Sequence, residues 1–361
     1  MWSMLDSRPH IFDLDADELR ALVDQWGMAS YRADQILDWI YRKHTFEPAQ
    51  MMNLPAKDRL VLQQRLGFSS GHIVRHEVAS DGVQKLLLQW SDSNKALTMA
   101  DDPSRQSECV MIPSDPRYTA CISSQIGCPV GCKFCASGLG GLDGNLTGGQ
   151  MVEQVRHLTV LQGVERISHV VFMGMGEPLA NFDAVVRAVR VLSADWGFGI
   201  SGRRITISTV GLPSQMRRLA DLQLPVTLAL SMHAPDDKLR RELIPWAQNV
   251  SIDELIDAGR YYFKCTGREV TLEYVLLRLV NDQPVHAQQL AKVAKQLRSN
   301  VNLIRYNEVE GIPYSRPSSH DTHRFQSILK DAGINTHIRA SRGQDIAAAC
   351  GQLRHERVAT G

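Results

Sequence analysis

Long apolar runs are missing from this chain. None approaches the roughly 18 residues that a membrane-crossing helix needs, so a helical membrane protein is excluded and no membrane partner is expected. The opening stretch, Met1-Trp2-Ser3-Met4-Leu5-Asp6-Ser7-Arg8, has neither a basic segment nor an apolar one. Export is therefore not expected, and the cytoplasm is the expected location. An excess of either charge is also missing, since 40 Lys and Arg face 39 Asp and Glu for a net charge of +1. That balance neither demands a nucleic-acid partner nor excludes one, because a local basic face can hide in a neutral total. Internal repeats, low-complexity tracts and long linkers are absent as well. Gly174-Met175-Gly176 is not followed by the third glycine of G-x-G-x-x-G, which disfavours a dinucleotide site there.

What is present is enough apolar material for a large core, 43% of 361 residues. That length exceeds a single small core, and one large α/β domain with an appendage is expected. Residues 11–67 read as helical: Leu14, Leu19, Leu22 and Val23, then Ile36, Leu37, Trp39 and Ile40, recur at helical spacing. Asp15 and Asp17 are placed to start the first helix and Gly27 to stop it. Residues 1–72 are thus a helical accessory domain. Residues 73–113 are a β extension or linker, with strands at 83–90 and 109–113 and turn-rich breaks at 91–94 and 101–104. From about residue 117, strands at 118–123, 169–173, 204–208, 225–232, 270–277, 301–306 and 336–340 alternate with helices near 148–162, 181–196, 213–222, 251–264, 285–298 and 321–332. Such alternation specifies a parallel sheet with crossover helices. Six βα units are too few for a closed eight-stranded barrel, and an open, partial barrel fits the count.

Seven cysteines, three of them clustered in the manner of ligands, point to a reducing compartment. Cys128, Cys132 and Cys135 follow the spacing C-x₃-C-x₂-C, with Gly127 and Gly131 able to turn the loop tightly. Three thiolates suit three corners of a [4Fe–4S] cluster, leaving one iron open. The spacing is the signature of radical S-adenosylmethionine enzymes, in which the open iron chelates the amino-acid end of that cofactor. A structural zinc site is the rival reading, with Cys121 or Cys109 as fourth ligand. A four-ligand electron-transfer cluster is a third, and inert thiols a fourth.

Chemistry-bearing residues recur at the carboxyl ends of the expected strands, where parallel barrels place their active sites. Gly174, Gly176 and Glu177 follow one strand, and Ser208, then Ser231-Met232-His233, then Asn307 end others. Together they could ring a polar cofactor with hydroxyl, amide and imidazole groups, and Glu177 could meet an ammonium. Cys350 lies just past the last strand, where a mobile loop could carry its thiol into the barrel mouth. Cys121 is a plausible partner for it. Cys109 and Cys265 read as packing residues. His72/His76 and His320/His323 have helical metal-site spacing but no accompanying carboxylate pattern, so they read as surface pairs. Arg203/Arg204, Arg217/Arg218, Arg240/Arg241, Arg32 and Lys43 are candidate phosphate anchors, with a solvated charged face as the default reading.

With these residues assembled, the chain resembles the RlmN/Cfr family of radical S-adenosylmethionine RNA methyltransferases. The resemblance runs from Tyr31-Arg32-Ala33-Asp34-Gln35-Ile36 to Leu353 through C-x-S-S-Q-x-G-C-x₃-C-x₂-C, G-M-G-E-P, S-T-x-G, S-x-H-A, N-L-I-x-x-N and D-I-x-A-A-C-G-Q-L. It implies a partial (β/α)6 radical SAM barrel over 114–345, an RNA-gripping accessory domain, and a C-terminal loop over 346–361 carrying Cys350. By that resemblance Cys128, Cys132 and Cys135 hold the cluster. Gly176, Glu177, Ser208, Ser231, Met232, His233 and Asn307 bind S-adenosylmethionine, two molecules of which are used per turnover. Cys350 is the thiol first methylated, Cys121 its resolving partner through a transient disulfide, and Glu108 the proton acceptor. The implied substrates are an adenine of 23S rRNA and an adenine of the tRNA anticodon loop, methylated at C2, with a reductant such as flavodoxin feeding the cluster. C8-directed methylation of 23S rRNA is the near alternative, and a non-catalytic zinc-stabilised RNA-binding protein the remote one. The chain departs from the family pattern at Gly144, where arginine is usual, at Trp246 after Pro245, and at Glu308 after Asn307.

Overall fold

The computed structural model describes residues 8–91 and 102–353. Near its start, Asp15 caps helix α1 (Ala16–Gln25) by accepting from the backbone of Asp17 and Glu18, while the Glu18 carboxylate reaches back to the Asp15 N–H. These reciprocal bonds satisfy three otherwise orphaned donors. Gly27, at φ +76°, lets the chain leave the helix. Helices α2 (Arg32–Tyr41) and α3 (Ala56–Arg65) complete the accessory unit, turning Leu19, Val23, Ile36, Leu37, Ile40 and Leu62 inward.

One ten-stranded sheet carries the rest of the chain. Strands β1 (Gly71–Val78), β2 (Gln84–Trp90) and β3 (Gln106–Ser114) run antiparallel and join β4 (Arg117–Cys121). The parallel part then continues through β7 (His169–Phe172), β8 (Ile205–Thr209), β9 (Thr227–Ser231), β10 (Val270–Leu276), β11 (Ser299–Arg305) and β12 (Thr336–Arg339). A two-stranded ribbon, β5 (Gln125–Gly127) with β6 (Leu142–Asn145), stands apart. Crossovers α4 (Gly148–Thr159), α5 (Phe182–Ser193), α6 (Pro213–Asp221), α8 (Ile252–Thr266), α9 (Pro284–Ala294) and α10 (Ser319–Asp331) match the six expected helices, with short α7 (Asp237–Leu243) before α8. The ends of the sheet, β1 and β12, do not pair, so the barrel is open. Every residue of β10 is buried, as a central parallel strand covered on both faces requires.

Two sequence expectations change. Residues 71–78 form an edge strand that period-2 reading missed, so His72 and His76 lie on a strand and not on a helix. Four strand residues separate their backbones by about 13 Å, and His76 instead meets the Gln84 side chain at 2.9 Å. The span read as extension or linker is continuous with the barrel sheet through β3 and β4. Of the expected breaks, residues 92–94 and 101 lie outside the described residues, and 103–105 form a single 3₁₀ turn capped by Asp102. No helix among the described residues is long and apolar enough to cross a membrane.

Candidate active site

A cavity of about 150 Å³ opens at the carboxyl ends of the parallel strands. Cys128, Cys132 and Cys135 line one side, on a loop fastened at several points. Gly127, at φ +75°, lies so close to Gly141 that a Cβ there would sit 2.0 Å from its carbonyl oxygen. Cys128 N–H donates to that carbonyl at 2.8 Å, and Lys133 N–H donates to the carbonyl of Leu243 at the end of α7. Burial raises all three thiols, Cys128 to about 12 and Cys132 well above its ordinary value. Thiols raised in this way become thiolates when a metal supplies the compensating charge. Neither expected fourth zinc ligand is available, because Cys109 is fully buried in the main core and Cys121 faces a different cavity. Among the described residues, no three metal-ligating side chains gather as they would around a single ion. Cys128, Cys132 and Cys135 do line one cavity together, as the three thiol ligands of a cluster must.

The opposite wall is the Gly174–Glu177 turn. Cβ atoms at Gly174 and Gly176 would approach Ser123 Oγ and Gln125 Cβ within 2.7 and 2.6 Å, and Gly176 has φ +102°. Only glycine fits there without strain. Glu177, 3% exposed, accepts from Thr209 Oγ1 at 2.7 Å, Val210 N–H at 2.7 Å and Leu179 N–H at 3.0 Å. Burial still dominates over those donors and raises its carboxyl to about 7. Ser208 and Ser231 line the cavity with hydroxyls 3.4 Å apart on adjacent strands. His233 has φ +56°, and its Nδ1 accepts from Val275 N–H at 3.1 Å. Burial, aided by the Arg240 charge, lowers its pKa to about 3. The ring is therefore neutral with its proton on Nε2, a fixed donor for a ligand.

The remaining expected residues are placed differently. Met232, between Ser231 and His233, turns the other way into the main core and does not line the cavity. Asn307 is committed to the terminal loop: its Nδ2 donates to the Cys350 carbonyl at 3.1 Å, and its Oδ1 accepts from Gln344 Nε2 at 2.8 Å. Cys350 lines the cysteine cavity and also a smaller one of about 110 Å³ shared with Cys121 and Asn307. Its loop is bonded to the cysteine loop through Ala136 N–H to Gly351 O (2.8 Å) and Ser137 Oγ to Leu353 O (2.7 Å). Glu108 faces a third cavity of about 430 Å³, walled by Gln344–Ala347 and Gln352 of the same terminal loop.

Three charged residues belong to this picture although the sequence reading assigned them no place in the site. Glu273, buried in β10, lines the cysteine cavity, accepts from Asn302 Nδ2 at 3.0 Å and pairs with Arg339 Nη1 at 3.4 Å. Arg339 lines both cavities that share Cys350, and its charge acts on both thiols. Burial nevertheless keeps Cys121 up at about 12, and Cys350, an exposed residue whose thiol faces the two cavities, is held above its ordinary value by loss of water around the sulfur. A lone carboxylate in the apolar stretch 270–277 was the available signal for Glu273. Arg240 is 1% exposed and donates to the Val210 carbonyl beside the cysteine loop, so it is not an RNA anchor. Arg203 and Arg204 precede β8 at the end of the barrel away from the cavity. Arg32 is held by Asp58, the Gln35 side chain and the Asn53 carbonyl inside the accessory unit.

Two family models match: the radical SAM superfamily over residues 122–290, and the ribosomal RNA large subunit methyltransferase N-terminal domain over residues 10–66. A probable dual-specificity RNA methyltransferase RlmN of Rhodopirellula baltica is 41% identical over 349 residues, 96% of this chain and 91% of that protein. The chain belongs to the RlmN family of radical SAM RNA methyltransferases. A ribosomal RNA large subunit methyltransferase N of Nitrosopumilus maritimus is 42% identical, covering 96% of this chain and 99% of its own. The crystal structure of a radical SAM methyltransferase from Sphaerobacter thermophilus superposes with a TM-score of 0.90 at 40% identity, over 96% of this chain and all of that one. Membership of the RlmN family brings a [4Fe–4S] cluster, S-adenosylmethionine and an RNA substrate. The three thiols and the hydrogen-bonding strand ends opposite them suit the first two.

Proposed function

We propose that this RlmN family member methylates C2 of an adenine, in 23S rRNA and in the tRNA anticodon loop, through a methyl group carried on Cys350. The observation that carries the reading is the position of Cys350, whose residue lines both the cysteine cavity and the cavity holding Cys121. A carrier thiol has to meet the cofactor on one side and its resolving thiol on the other.

Cys128, Cys132 and Cys135 would hold the cluster, which supplies an electron for reductive cleavage of S-adenosylmethionine. Glu177 and the His233 Nε2–H are the polar groups positioned to orient that cofactor, with the Ser208 and Ser231 hydroxyls beside them. Cys350 accepts a methyl group as thiolate, so its raised pKa must be brought down, and Arg339 is the cation placed to do so. One S-adenosylmethionine provides that methyl and a second is consumed in activating it, two per turnover. The carrier carbon, having given up one hydrogen atom, bonds to C2 of the adenine, and Glu108 accepts the ring proton while one electron leaves the adduct for the cluster. Cys121 then attacks the Cys350 sulfur, breaking its bond to that carbon; the carbon takes up a proton and becomes the methyl group of the free base, leaving a disulfide that an external dithiol reduces. Such exchange needs a thiolate close to its target sulfur, and the shared cavity supports that. Splitting the transfer across a covalent carrier replaces one inaccessible step by several accessible ones. A flavodoxin-type protein is the proposed electron donor.

The test is Cys350→Ala, reconstituted anaerobically and incubated with dithionite, S-adenosylmethionine and an rRNA fragment. Wild-type protein should yield 2-methyladenosine by mass spectrometry of the digested nucleosides. The variant should keep its iron–sulfur absorbance and yield none. Product formed by the variant would overturn the carrier role, and 8-methyladenosine from wild type would overturn the C2 assignment.

A further inference from the structure

The third cavity contains a row of alternating charges. Glu77 on β1, Lys85 on β2 and Glu108 on β3 point to the same face of the sheet. Glu77 stands directly opposite Lys85, and Glu108 faces Leu87, two residues further along β2 and hence on the same side. Lys85 Nζ lies 3.0 Å from Glu108 Oε1 and 3.1 Å from Glu77 Oε2. The Lys85 and Glu108 side chains are each only 8% exposed, whereas Glu77 is 34% exposed. The row therefore runs from a dry inner end to a wet outer one. The wall opposite is Cys350's own loop, through Gln344, Asp345 and Gln352.

We propose that Lys85 is the positioning residue for Glu108, holding it as a carboxylate toward the substrate base and conducting its proton outward to Glu77. This rests on the reading of Glu108 as proton acceptor. A cation beside a buried carboxylate favours its charged, basic form, and Lys85 supplies one to Glu108. The cavity makes that cation matter, since Glu77, Glu108, Glu308, Glu310 and Asp345 all line it against the cations Arg75 and Lys85. Lys85 separates two of those carboxylates. Once Glu108 has taken the ring proton and is neutral, Lys85 passes one of its three protons to Glu77 and recovers one from Glu108. Glu77 then releases it to water. The ammonium and the Glu108 carboxylate are restored, and no electron or heavy atom moves.

Three variants separate holding from conducting: Lys85→Met removes both, Lys85→Arg keeps the charge but cannot give up a proton, and Glu77→Gln removes only the exit. Single-turnover formation of methylated base would be followed from about pH 5.5 to about pH 8.5, starting from protein already methylated at Cys350. Iron–sulfur absorbance and the mass of methylated Cys350 serve as controls for folding. With Lys85→Met the acid limb should move up by about one to two pH units, the effect of removing an adjacent cation. With Lys85→Arg the limb should stay in place while the plateau rate falls about tenfold, and Glu77→Gln should do the same more weakly. If Lys85→Met lost its controls, the Arg and Gln variants alone would decide. Wild-type limb and rate in Lys85→Met, or in both of the others, would overturn the proposal. Glu108→Gln run alongside tells the two failures apart. Full product from Glu108→Gln overturns the proton-acceptor reading itself, whereas an inactive Glu108→Gln beside an unaffected Lys85→Met overturns only the role of Lys85.

Discussion

Glu177 and Glu153 are equally buried carboxylates with opposite behaviour. At the barrel mouth, Glu177 has three donors, and burial still lifts it to about 7. At the seam between the accessory unit and the barrel, Glu153 is also pushed upward by burial, but its partners overcome that and hold it at about 2. Ser69 Oγ donates to it at 2.7 Å, Ser70 Oγ at 2.6 Å, Ser70 N–H at 3.0 Å and Gly71 N–H at 3.2 Å. His157 and His10 approach within 3.5 and 3.7 Å. Burial is the same at both positions and the donor count is not. A carboxylate that fastens three segments together is saturated. One facing a cavity keeps unused capacity, which is what a ligand can take up.

The largest effect expected from that contrast is on stability. Glu153→Gln leaves Ser70 and Gly71 backbone donors facing an amide that cannot accept from all of them. It should destabilise the fold by about 3 kcal/mol or more, as breaking buried charge-assisted networks does, read as a lowered urea midpoint. Because the folded value lies below the ordinary carboxyl value, the contribution is complete above about pH 4.5 and drains away toward pH 2. Over that window it amounts to roughly 3 kcal/mol, so the wild-type advantage over Glu153→Gln should shrink as the solution is acidified. A constant gap would mean the loss is packing and not charge. Glu177 slopes the other way. Its folded value is raised, so stability falls as pH climbs from about 4.5 to about 7, again by roughly 3 kcal/mol. Glu177→Gln should flatten that part of the wild-type curve.

Much of this was legible in the chain, for identifiable reasons. The crossover helices announce themselves by strong periodicity, and the cysteine triplet by spacing that folding cannot disguise. Ser231 and His233 were readable as facing a common site. Met232 lies past the end of β9, and its turn into the main core follows from the left-handed backbone at His233, which sequence does not announce. Strand β1 escaped because its edge position leaves most of it exposed and blurs its period, and histidines four apart then imitate a helix. Arg240 looks like half of a solvent-facing pair in sequence, and only the packing of α7 on the cysteine loop shows it buried. Glu273 and Arg339 come from strands far apart in the chain. Their pairing is a fact of sheet order, where β11 lies between them.

The smallest effect is the sharpest test of what the contrast means. With its carboxyl at about 7, Glu177 is about half protonated at neutral pH. An ammonium brought against it favours the charged form. Binding of S-adenosylmethionine at pH 7 should therefore release about half a proton from the wild-type protein. Calorimetric titration in buffers of different ionisation enthalpy measures that number directly, before any turnover. Glu177→Gln should release none from this position and bind more weakly, while a mild seam variant such as Ser69→Ala should release as much as wild type. The release should fade above about pH 8, where Glu177 is already ionised. Proton uptake instead of release, or release that persists unchanged in Glu177→Gln, would mean that the cofactor's ammonium is held elsewhere. The raised carboxyl would then be only the consequence of a dry turn.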